Sequence, residues 1–252
     1  MPGFRATRAK LRAMAGLYGE DLAYVHAAGF GGLARGAAPE IIRQLRSAQT
    51  SIRHVIDAGC GAGPLTAALI DAGFSVTGID VSGELLAMAR VAAPRAGFIE
   101  GSIYEAPIAD CDAVVALGEP LTYHEERGDA DRRVAEFFRT AAAALPRSGM
   151  LIFDIIETGE PALDGRFWTS TEDWAVLAET KESGRELVRT IETFRRVGDL
   201  YRRSTEVHHV SLFDSGELTE VLARSGFSVE TARSYGSHPL GPRRRAFFCT
   251  KI

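Results

Sequence analysis

The chain has 252 residues, of which 46% are hydrophobic and 25% charged, and its formal net charge is −4. These proportions are typical of a globular protein with a buried core, and the length favours one α/β domain with an insertion over two full domains. The negative net charge gives no global field that attracts nucleic acid, so nucleic-acid binding is not expected.

Signals for export, membrane insertion and metal binding are not seen in the sequence. No apolar stretch reaches the length of a membrane span, and the first ten residues carry scattered arginines without a long apolar core. We therefore expect a cytoplasmic protein. The three cysteines lie far apart without a C-x-x-C pair, which disfavours a disulfide framework and a zinc site: Cys60, Cys111 and Cys249. No cluster of acids and histidines has the spacing of metal ligands, so no metal is predicted.

Two helices are predicted before the first strand. Residues 17–26 have apolar positions at helical spacing, and the chain then breaks at the glycine-rich stretch 29–32. A second helix is predicted to start near Pro39 and to run toward Arg46. The first helix carries three side chains that either pack on the sheet or, as the family resemblance given below implies, contact cofactor and substrate: Tyr18, Tyr24 and His26.

A strand, a tight turn and a helix are predicted over residues 52–70. The apolar run from Ile52 to Ile56 ends in Asp57, and three glycines spaced two apart follow it: Gly59, Gly61 and Gly63. Glycine is needed where the backbone takes a positive φ or where a ligand must approach bare backbone. Such a turn directs the free N–H groups of the new helix toward whatever lies above the sheet.

The second strand, over residues 75–80, ends in Asp80, which stands 21 residues after Gly59. An acid at this distance is placed to accept hydrogen bonds from both hydroxyls of a ribose. The dinucleotide motif G-x-G-x-x-G requires a small residue where this chain has Pro64, and a proline suits the first turn of a helix instead. Two nucleotide-binding folds share this layout, and Asp57, two residues before the first glycine, is also more typical of the fold that does not bind a dinucleotide.

The next elements are predicted from their apolar patterns. Ser82 is expected to cap a helix, and short strands are expected over residues 98–100 and 111–118. A helix with Phe137 and Phe138 on its apolar face leads into a strand over 150–156.

From residue 157 the pattern changes to partial alternation, which predicts two or three antiparallel strands with a hairpin turn at Gly198-Asp199. A helix from Ser215 and two last strands complete the chain. The arginine runs at 195–196, 202–203 and 243–245 could bind an anionic substrate or RNA, but we interpret the first two as solvated strand faces and the third as a basic loop.

The motifs D-A-G-C-G-A-G at 57–63 and G-I-D-V-S at 78–82 resemble the cofactor site of class I S-adenosylmethionine-dependent methyltransferases. Segments at 21–31, 116–119, 172–177 and 193–204 extend the resemblance, to a group of bacterial methyltransferases, over nearly the whole chain. It implies a Rossmann-like seven-stranded mixed sheet in order 3-2-1-4-5-7-6, with the last strand antiparallel and helices on both faces. It also implies a helical lid at 1–50, a core at 51–160 and 212–252, and an inserted antiparallel β cap at 161–211.

The same resemblance implies S-adenosylmethionine as the cofactor. Ser102 stands where related enzymes commonly hold the adenine through an aspartate, Ile103 would pack on the adenine, and Gly118 would let the backbone approach the methionine part. The full set of predicted cofactor contacts is Tyr18, Asp57, Gly59, Cys60, Gly61, Gly63, Asp80, Val81, Ser102, Ile103, Leu117 and Gly118.

Methyl transfer mainly requires alignment of nucleophile, carbon and sulfur, and a base is needed only if the acceptor is protonated. Candidate bases are Glu119, Tyr123, His124, Tyr201, His208 and His209, of which Glu119, His208 and Tyr123 are predicted to be catalytic. Only one of the adjacent His208 and His209 can face the cleft. Glu119 is favoured because it follows a central strand and precedes Pro120, which should hold its backbone extended. The predicted substrate contacts are Tyr24, His26, His124 and Tyr201.

The leading hypothesis is N- or O-methylation of a small molecule by a monomer or homodimer without a membrane partner. One alternative is an RNA or protein methyltransferase, which needs a continuous basic or aromatic surface. The other is a nicotinamide-dependent oxidoreductase or a non-catalytic nucleotide binder, against which Pro64 argues.

Overall fold

The core is a seven-stranded sheet with the predicted strand order. A computed structural model describes residues 17–123 and 130–252. The sheet strands are β1 (His54–Ala58), β2 (Ser75–Asp80), β3 (Gly97–Glu100), β4 (Ala113–Ala116), β5 (Met150–Ile156), β10 (Phe227–Ala232) and β13 (Arg244–Lys251). They are ordered β10-β13-β5-β4-β1-β2-β3, and β13 runs antiparallel to both of its neighbours. The predicted fold class is confirmed.

Helices cover both faces of this sheet because the central strands are apolar on both sides. Ile56, Val114 and Phe153 pack against α5 (Ala130–Ala144) and α6 (Ser215–Arg224) on one face. Val55 and Val115 pack against α2 (Gly32–Ser47) and α3 (Pro64–Asp71) on the other. Helix α4 (Gly83–Ala92) is capped by the Ser82 hydroxyl, which accepts from the Leu85 N–H at 3.2 Å.

Two helices precede β1, and the second begins earlier than the sequence predicted. Helix α1 spans Glu20–Gly29 and α2 starts at Gly32, so Pro39 lies inside a helix rather than at its start. A proline inside a helix removes one backbone hydrogen bond. Ala37 and Ala38 are buried against the core, and this tertiary packing extends the helix over a stretch whose local signal favoured a break.

A second sheet of four antiparallel strands lies between β5 and α6. It consists of β6 (Gly165–Ser170), β7 (Trp174–Ser183), β8 (Glu186–Val197) and β9 (Leu200–Ser211), in that order. The predicted hairpin turn at 198–199 joins β8 to β9. The sequence predicted only two or three strands. Strand β6 is exposed along almost its whole length, so it lacks the alternation of buried and exposed residues that would have predicted it. We call this sheet the cap, and the wider cap segment 161–211 stays a prediction.

The cap is attached to the rest of the molecule by two small apolar clusters. Leu187 and Val210 pack with Ile156 of the core, and Trp174 and Val176 pack with Val25 of α1. The cap leaves and re-enters the core at one point, where Thr158 N donates to Phe213 O at 2.9 Å and Phe213 N donates to Ile156 O at 3.0 Å.

A short hairpin of β11 (Ser234–Tyr235) and β12 (His238–Pro239) packs near α2. Strand β13 includes Arg244 and Arg245, which the sequence analysis assigned to a basic loop. Because Arg244 pairs antiparallel with Ile156 of β5, strand β13 begins at Arg244. Among the described residues, no helix is long and apolar enough to span a membrane.

Candidate active site

A cavity of about 600 Å3 lies beyond the carboxyl ends of β1, β2 and β4 and beneath α1 and α2. Its size falls within the range of small-molecule sites, about 300–1,000 Å3. Thirteen of the residues predicted from the sequence line it: Tyr18, His26, Asp57, Gly59, Cys60, Gly61, Asp80, Val81, Ser102, Ile103, Leu117, Gly118 and Tyr123.

A larger and more open groove of about 1,000 Å3 lies between the 103–110 loop and α5. It shares only Ile103 with the predicted site, and much of its wall is formed by charged side chains of α5. The smaller cavity, which contains the glycine turn, is therefore the candidate active site.

The glycine turn brings bare backbone to the cavity floor. Gly59, Gly61 and Gly63 have φ values of 77°, 56° and 82°, a region that side chains other than glycine rarely adopt. A Cβ on Gly59 would lie 2.5 Å from the Pro120 Cβ. Gly63 has a packing role instead: a Cβ there would lie 3.0 Å from the Ala89 Cβ of α4, and Gly63 does not line the cavity.

Asp80 fastens this turn. Its Oδ2 accepts from Gly61 N at 2.8 Å and its Oδ1 accepts from Ser82 N at 2.9 Å. Burial raises the pKa of Asp80 above its ordinary value. A carboxylate has about four lone-pair sites, so the two backbone bonds leave acceptor capacity toward the cavity.

Asp57 ties the turn to helix α3. The Thr66 hydroxyl donates to Asp57 Oδ2 at 2.6 Å, and both residues are buried. Burial raises the pKa of Asp57 to about 7, although the Thr66 hydrogen bond opposes the shift. Asp57 thus holds the strand end and the following helix together.

Three neutral polar side chains lie close together in the cavity wall, and we call this part of the wall the acceptor end. The hydroxyls of Tyr18 and Tyr123 are 3.4 Å apart, and the His26 ring stands edge-on to Tyr18 with ring centroids 4.9 Å apart. Burial, and secondly the charge of His208, lower the pKa of His26 to about 4. Burial also raises the pKa of both tyrosines, so all three groups are uncharged at neutral pH.

Glu119 lies behind Tyr123 and does not line the cavity. Its Oε1 accepts from Arg189 Nη1 of the cap at 2.7 Å and lies 3.0 Å from Arg244 Nη2 of β13. Its Oε2 is buried and has no hydrogen-bond partner among the described residues. The expected extended backbone is wrong, because Glu119 has φ 64° and ψ 28°. The Thr122 N–H and hydroxyl both donate to its carbonyl, at 3.0 and 2.7 Å, and hold this left-handed turn.

The same network reaches Asp154 at the end of β5. Arg189 Nη1 also donates to the Tyr123 hydroxyl at 3.1 Å, and Arg244 Nη1 lies 3.6 Å from Asp154 Oδ2. Asp154 Oδ1 accepts from Gly118 N at 2.7 Å. Burial raises the pKa of Asp154 to about 6, and the charge of Arg244 opposes this. The network connects cap, core and cavity wall.

His208 faces inward and is fully buried, whereas His209 faces outward and contacts Glu186. His208 Nε2 lies 2.9 Å from Glu206 Oε2, and within the described part of the chain its Nδ1 has no hydrogen-bond partner. The Glu206 carboxylate also accepts from the backbone N–H groups of Tyr18 and Gly19, at 2.8 and 3.0 Å. The cap therefore holds the start of α1, and His208 supports Tyr18 from behind.

The structure does not bring every predicted substrate contact to the cavity. Tyr24 packs beside Trp174 under the guanidinium of Arg195, 4.1 Å from its ring centroid. Tyr201 is half exposed on β9, and its hydroxyl donates to the carbonyl of Glu172. His124 lies outside the described residues.

Several lining residues were missed by sequence reasoning. Arg35 lies at the exposed edge of the cavity and Leu33 lies nearby on α2; Pro120 and Met88 complete the wall. No motif marks them, since helices α1 and α2 become part of the site only through tertiary packing. Within the described ranges, no group of three or more His, Cys, Asp and Glu residues is placed to hold a metal ion.

Comparisons with known proteins agree with this geometry. Residues 55–144 match the family described as "Methyltransferase domain". YqeM of Bacillus subtilis (strain 168), a candidate methyltransferase, is 29% identical over 207 residues, which cover 77% of this chain and 82% of YqeM.

Two solved structures share the fold. An S-adenosylmethionine-dependent methyltransferase from Clostridium acetobutylicum has a TM-score of 0.77 and 16% identity, over 90% of this chain and 96% of that one. The sugar N-methyltransferase KedS8 from a Streptoalloteichus species has a TM-score of 0.75 and 20% identity, over 90% of this chain and 92% of KedS8.

Proposed function

Because this chain is a class I S-adenosylmethionine-dependent methyltransferase, we propose that it methylates a nitrogen or oxygen atom of a small molecule held between core, lid and cap. The observation that carries the proposal is that one cavity is lined by two sets of residues. The glycine turn and Asp80 form one set, and Tyr18, His26 and Tyr123 form the other.

The cavity fits the cofactor. The turn at Gly59 leaves backbone bare where a Cβ would collide with Pro120, and Asp80 keeps acceptor capacity for ribose hydroxyls. Val81, Met88 and Ile103 offer an apolar surface for a base. When bound, the cofactor supplies an electrophilic methyl group on a sulfonium.

The residues of the chain then act mainly by alignment and exclusion of water. Alignment of reacting groups can lower a barrier by about 7–11 kcal/mol. The Tyr18 and Tyr123 hydroxyls orient the acceptor, and the neutral imidazole of His26 is available to take its proton. Glu119 and Arg189 position Tyr123 from behind rather than touching the acceptor.

The charge arrangement supports a small acceptor over RNA or protein. The arginines of the runs at 195–196, 202–203 and 243–245 are each paired with carboxylates, on α1, within the cap or in the core. These pairs remove the free basic surface that a nucleic-acid backbone needs. The fold shared with KedS8, a sugar N-methyltransferase, also supports a small molecule.

We also propose that the enzyme works in the cytoplasm, as a monomer or homodimer. All three cysteines are free and buried, which is consistent with a reducing compartment.

The proposal is tested by transfer of labelled methyl from S-adenosylmethionine into three fractions of a cell extract: small metabolites, RNA and protein. We expect label in the small-metabolite fraction, and less of it with an Asp80→Asn variant. Label confined to RNA or protein would contradict the small-molecule assignment. Calorimetry that shows binding of NAD but not of S-adenosylhomocysteine would contradict the cofactor.

A further inference from the structure

We propose that the acceptor is an uncharged aryl compound, a phenol or an aryl amine, whose ring lies against Phe30 at the mouth of the cavity. The proposal rests on the proposed function, since it names the class of molecule that the acceptor end receives. Three features of that end carry it: its charge, its aromatic wall and its small number of polar groups.

The described residues offer no free carboxylate at the acceptor end to hold an ammonium group. Glu119 is engaged by Arg189 and Arg244 and lies outside the cavity wall. Glu206 is engaged by His208 and by the backbone of Tyr18 and Gly19. An alkyl amine has a pKa of about 10, as lysine does, and is therefore protonated at neutral pH. Its ammonium group would lose its hydration without gaining an ionic partner. Phenols and aryl amines enter uncharged and avoid this penalty.

His26 and Phe30 line the cavity, and a row of aromatic rings continues from Phe30 onto the cap outside the cavity lining. His26 stacks on Phe30 with an interplanar angle of 14° and centroids 5.9 Å apart. Phe30 in turn contacts Phe167 of β6 edge-on at 6.4 Å and Trp174 of β7 at 6.3 Å. Phe30 is 38% exposed and Phe167 is 51% exposed. Two half-exposed rings, one on the lid and one on the cap, provide offset and edge-on contacts for a third ring.

The polar groups of this end are few. Among the described residues, the neutral polar side chains that line the cavity are Tyr18, His26, Ser102, Tyr104 and Tyr123. The Tyr104 hydroxyl donates to Leu121 O, and the hydroxyls of Tyr18 and Tyr123 already face each other at 3.4 Å. The remaining side chains that line the cavity from residues 17–35 are apolar, except Arg35 at the exposed edge: Leu17, Ala27, Phe30, Leu33 and Ala34. A sugar has several hydroxyls, and each of them needs a hydrogen-bond partner when it is buried. This wall therefore fits an acceptor with a single nucleophilic group on an otherwise apolar molecule better than it fits a sugar.

The proton balance favours the same class. The bond between methyl carbon and sulfur breaks with its electron pair left on sulfur, and a bond forms from acceptor oxygen or nitrogen to that carbon. The acceptor's proton then passes to His26, whose pKa is about 4. A methylated alkyl ammonium holds its proton too firmly for this imidazole, whereas protonated aryl ethers and aryl amines are much stronger acids.

Trp174 allows a direct binding test without turnover. The chain has two tryptophans; Trp168 is 72% exposed, while Trp174 is 7% exposed and contacts Phe30. In a Trp168→Phe protein saturated with S-adenosylhomocysteine, Trp174 fluorescence is titrated with 4-methylphenol, 4-methylaniline, cyclohexylamine and glucosamine. We expect saturable binding of the two aryl probes, at least about tenfold tighter than the two protonated amines. Tighter binding of cyclohexylamine or glucosamine, or no aryl binding while calorimetry shows normal S-adenosylhomocysteine affinity, would overturn the proposal. Loss of S-adenosylhomocysteine binding itself would instead contradict the proposed function.

Phe30 is then tested by substitution. Phe30→Ala should weaken 4-methylphenol binding about tenfold or more and leave S-adenosylhomocysteine affinity unchanged. Phe30→Leu keeps most of the apolar volume and serves if the alanine variant does not fold. Val207→Ala is the matched control, since Val207 is an exposed apolar residue on β9 away from the cavity. Unchanged aryl affinity in a folded Phe30 variant would overturn the proposal.

Discussion

Glu119 of the core and Arg189 of the cap form a 2.7 Å ion pair in which the carboxylate is almost completely buried. The same guanidinium nitrogen donates to the hydroxyl of Tyr123 on the cavity wall. One contact thus fixes the cap over the sheet and orients a side chain of the acceptor end. Sequence reasoning predicted Glu119 as a catalytic residue, and the structure places its carboxylate behind Tyr123, outside the cavity lining.

Replacing Arg189 by methionine should destabilise the fold, because it leaves the buried Glu119 with Arg244 as its remaining cation. Breaking a buried pair costs about 3–5 kcal/mol, and the remaining arginine should keep the loss near the lower end. Urea unfolding measures it. Arg166→Met is the control, since its pair with Glu179 is exposed and such pairs contribute about 0–1 kcal/mol. Equal effects of both substitutions would contradict the role of the Glu119–Arg189 pair.

Asp80→Asn should weaken cofactor binding. The carboxylate accepts from Gly61 N and Ser82 N, and an amide can accept with only one of its two terminal atoms. Hydrogen bonds to a charged group contribute about 1.5–3 kcal/mol, or roughly 10- to 100-fold in affinity for S-adenosylhomocysteine by calorimetry. Asp71→Asn, at an exposed position, should bind as the parent protein does. Parent-like affinity in Asp80→Asn would mean that Asp80 does not organise the cofactor site.

Gly59→Ala should lose far more stability than Gly184→Ala. Both glycines have positive φ, 77° and 61°, so both substitutions incur the backbone cost of about 1–2 kcal/mol. Only the Cβ at Gly59 meets an obstacle, the Pro120 ring at 2.5 Å, whereas Gly184 faces open space in the cap. Thermal unfolding compares the two, and equal shifts would show that the turn relaxes freely.

Stability should fall in mild acid partly because of His26. Its pKa is about 4 when folded and about 6.5 when unfolded, so the unfolded chain takes up the proton first. The free energy of unfolding is therefore unaffected by this group above pH 7 and decreases as pH falls from 6.5 toward 4.

A His26→Phe variant should show a smaller loss between pH 7 and pH 4.5 in denaturant titrations. Asp57 and Asp154, whose pKa values are raised to about 7 and 6, act with the opposite sign. They are present in both proteins, so the difference between the two curves isolates His26. Parallel curves would show that His26 is not held neutral by its surroundings.

Features encoded over short stretches of sequence could be predicted. The glycine turn, Asp80 and the buried strand β5 are local patterns, and the structure has β5 at the predicted residues, Met150–Ile156. The two helices before β1 and the antiparallel character of the cap were visible for the same reason. The sheet order came from the resemblance, since spacing alone does not determine which strands pair.

Features that depend on distant pairing could not be predicted from local pattern. Arg244 was interpreted as part of a basic loop, because its contact with Glu119 exists only through the register of β13 on β5. The left-handed backbone of Glu119 depends likewise on hydrogen bonds and ion pairs from separate elements. Cofactor and substrate roles of individual residues stay predictions until binding is measured.

The adjacent ends of the cap at Thr158 and Phe213 have a consequence for how such enzymes can diversify. A segment that starts and finishes at neighbouring points can be replaced by one of different length or sequence without redirecting the core. Glu119 in the core and Asp21 on α1 now pair with Arg189 and Arg202 of the cap. A replacement segment would need to supply a cationic side chain for each of these two carboxylates. Chimeras that keep these two ion pairs should differ from the parent protein in acceptor preference and match it in cofactor affinity.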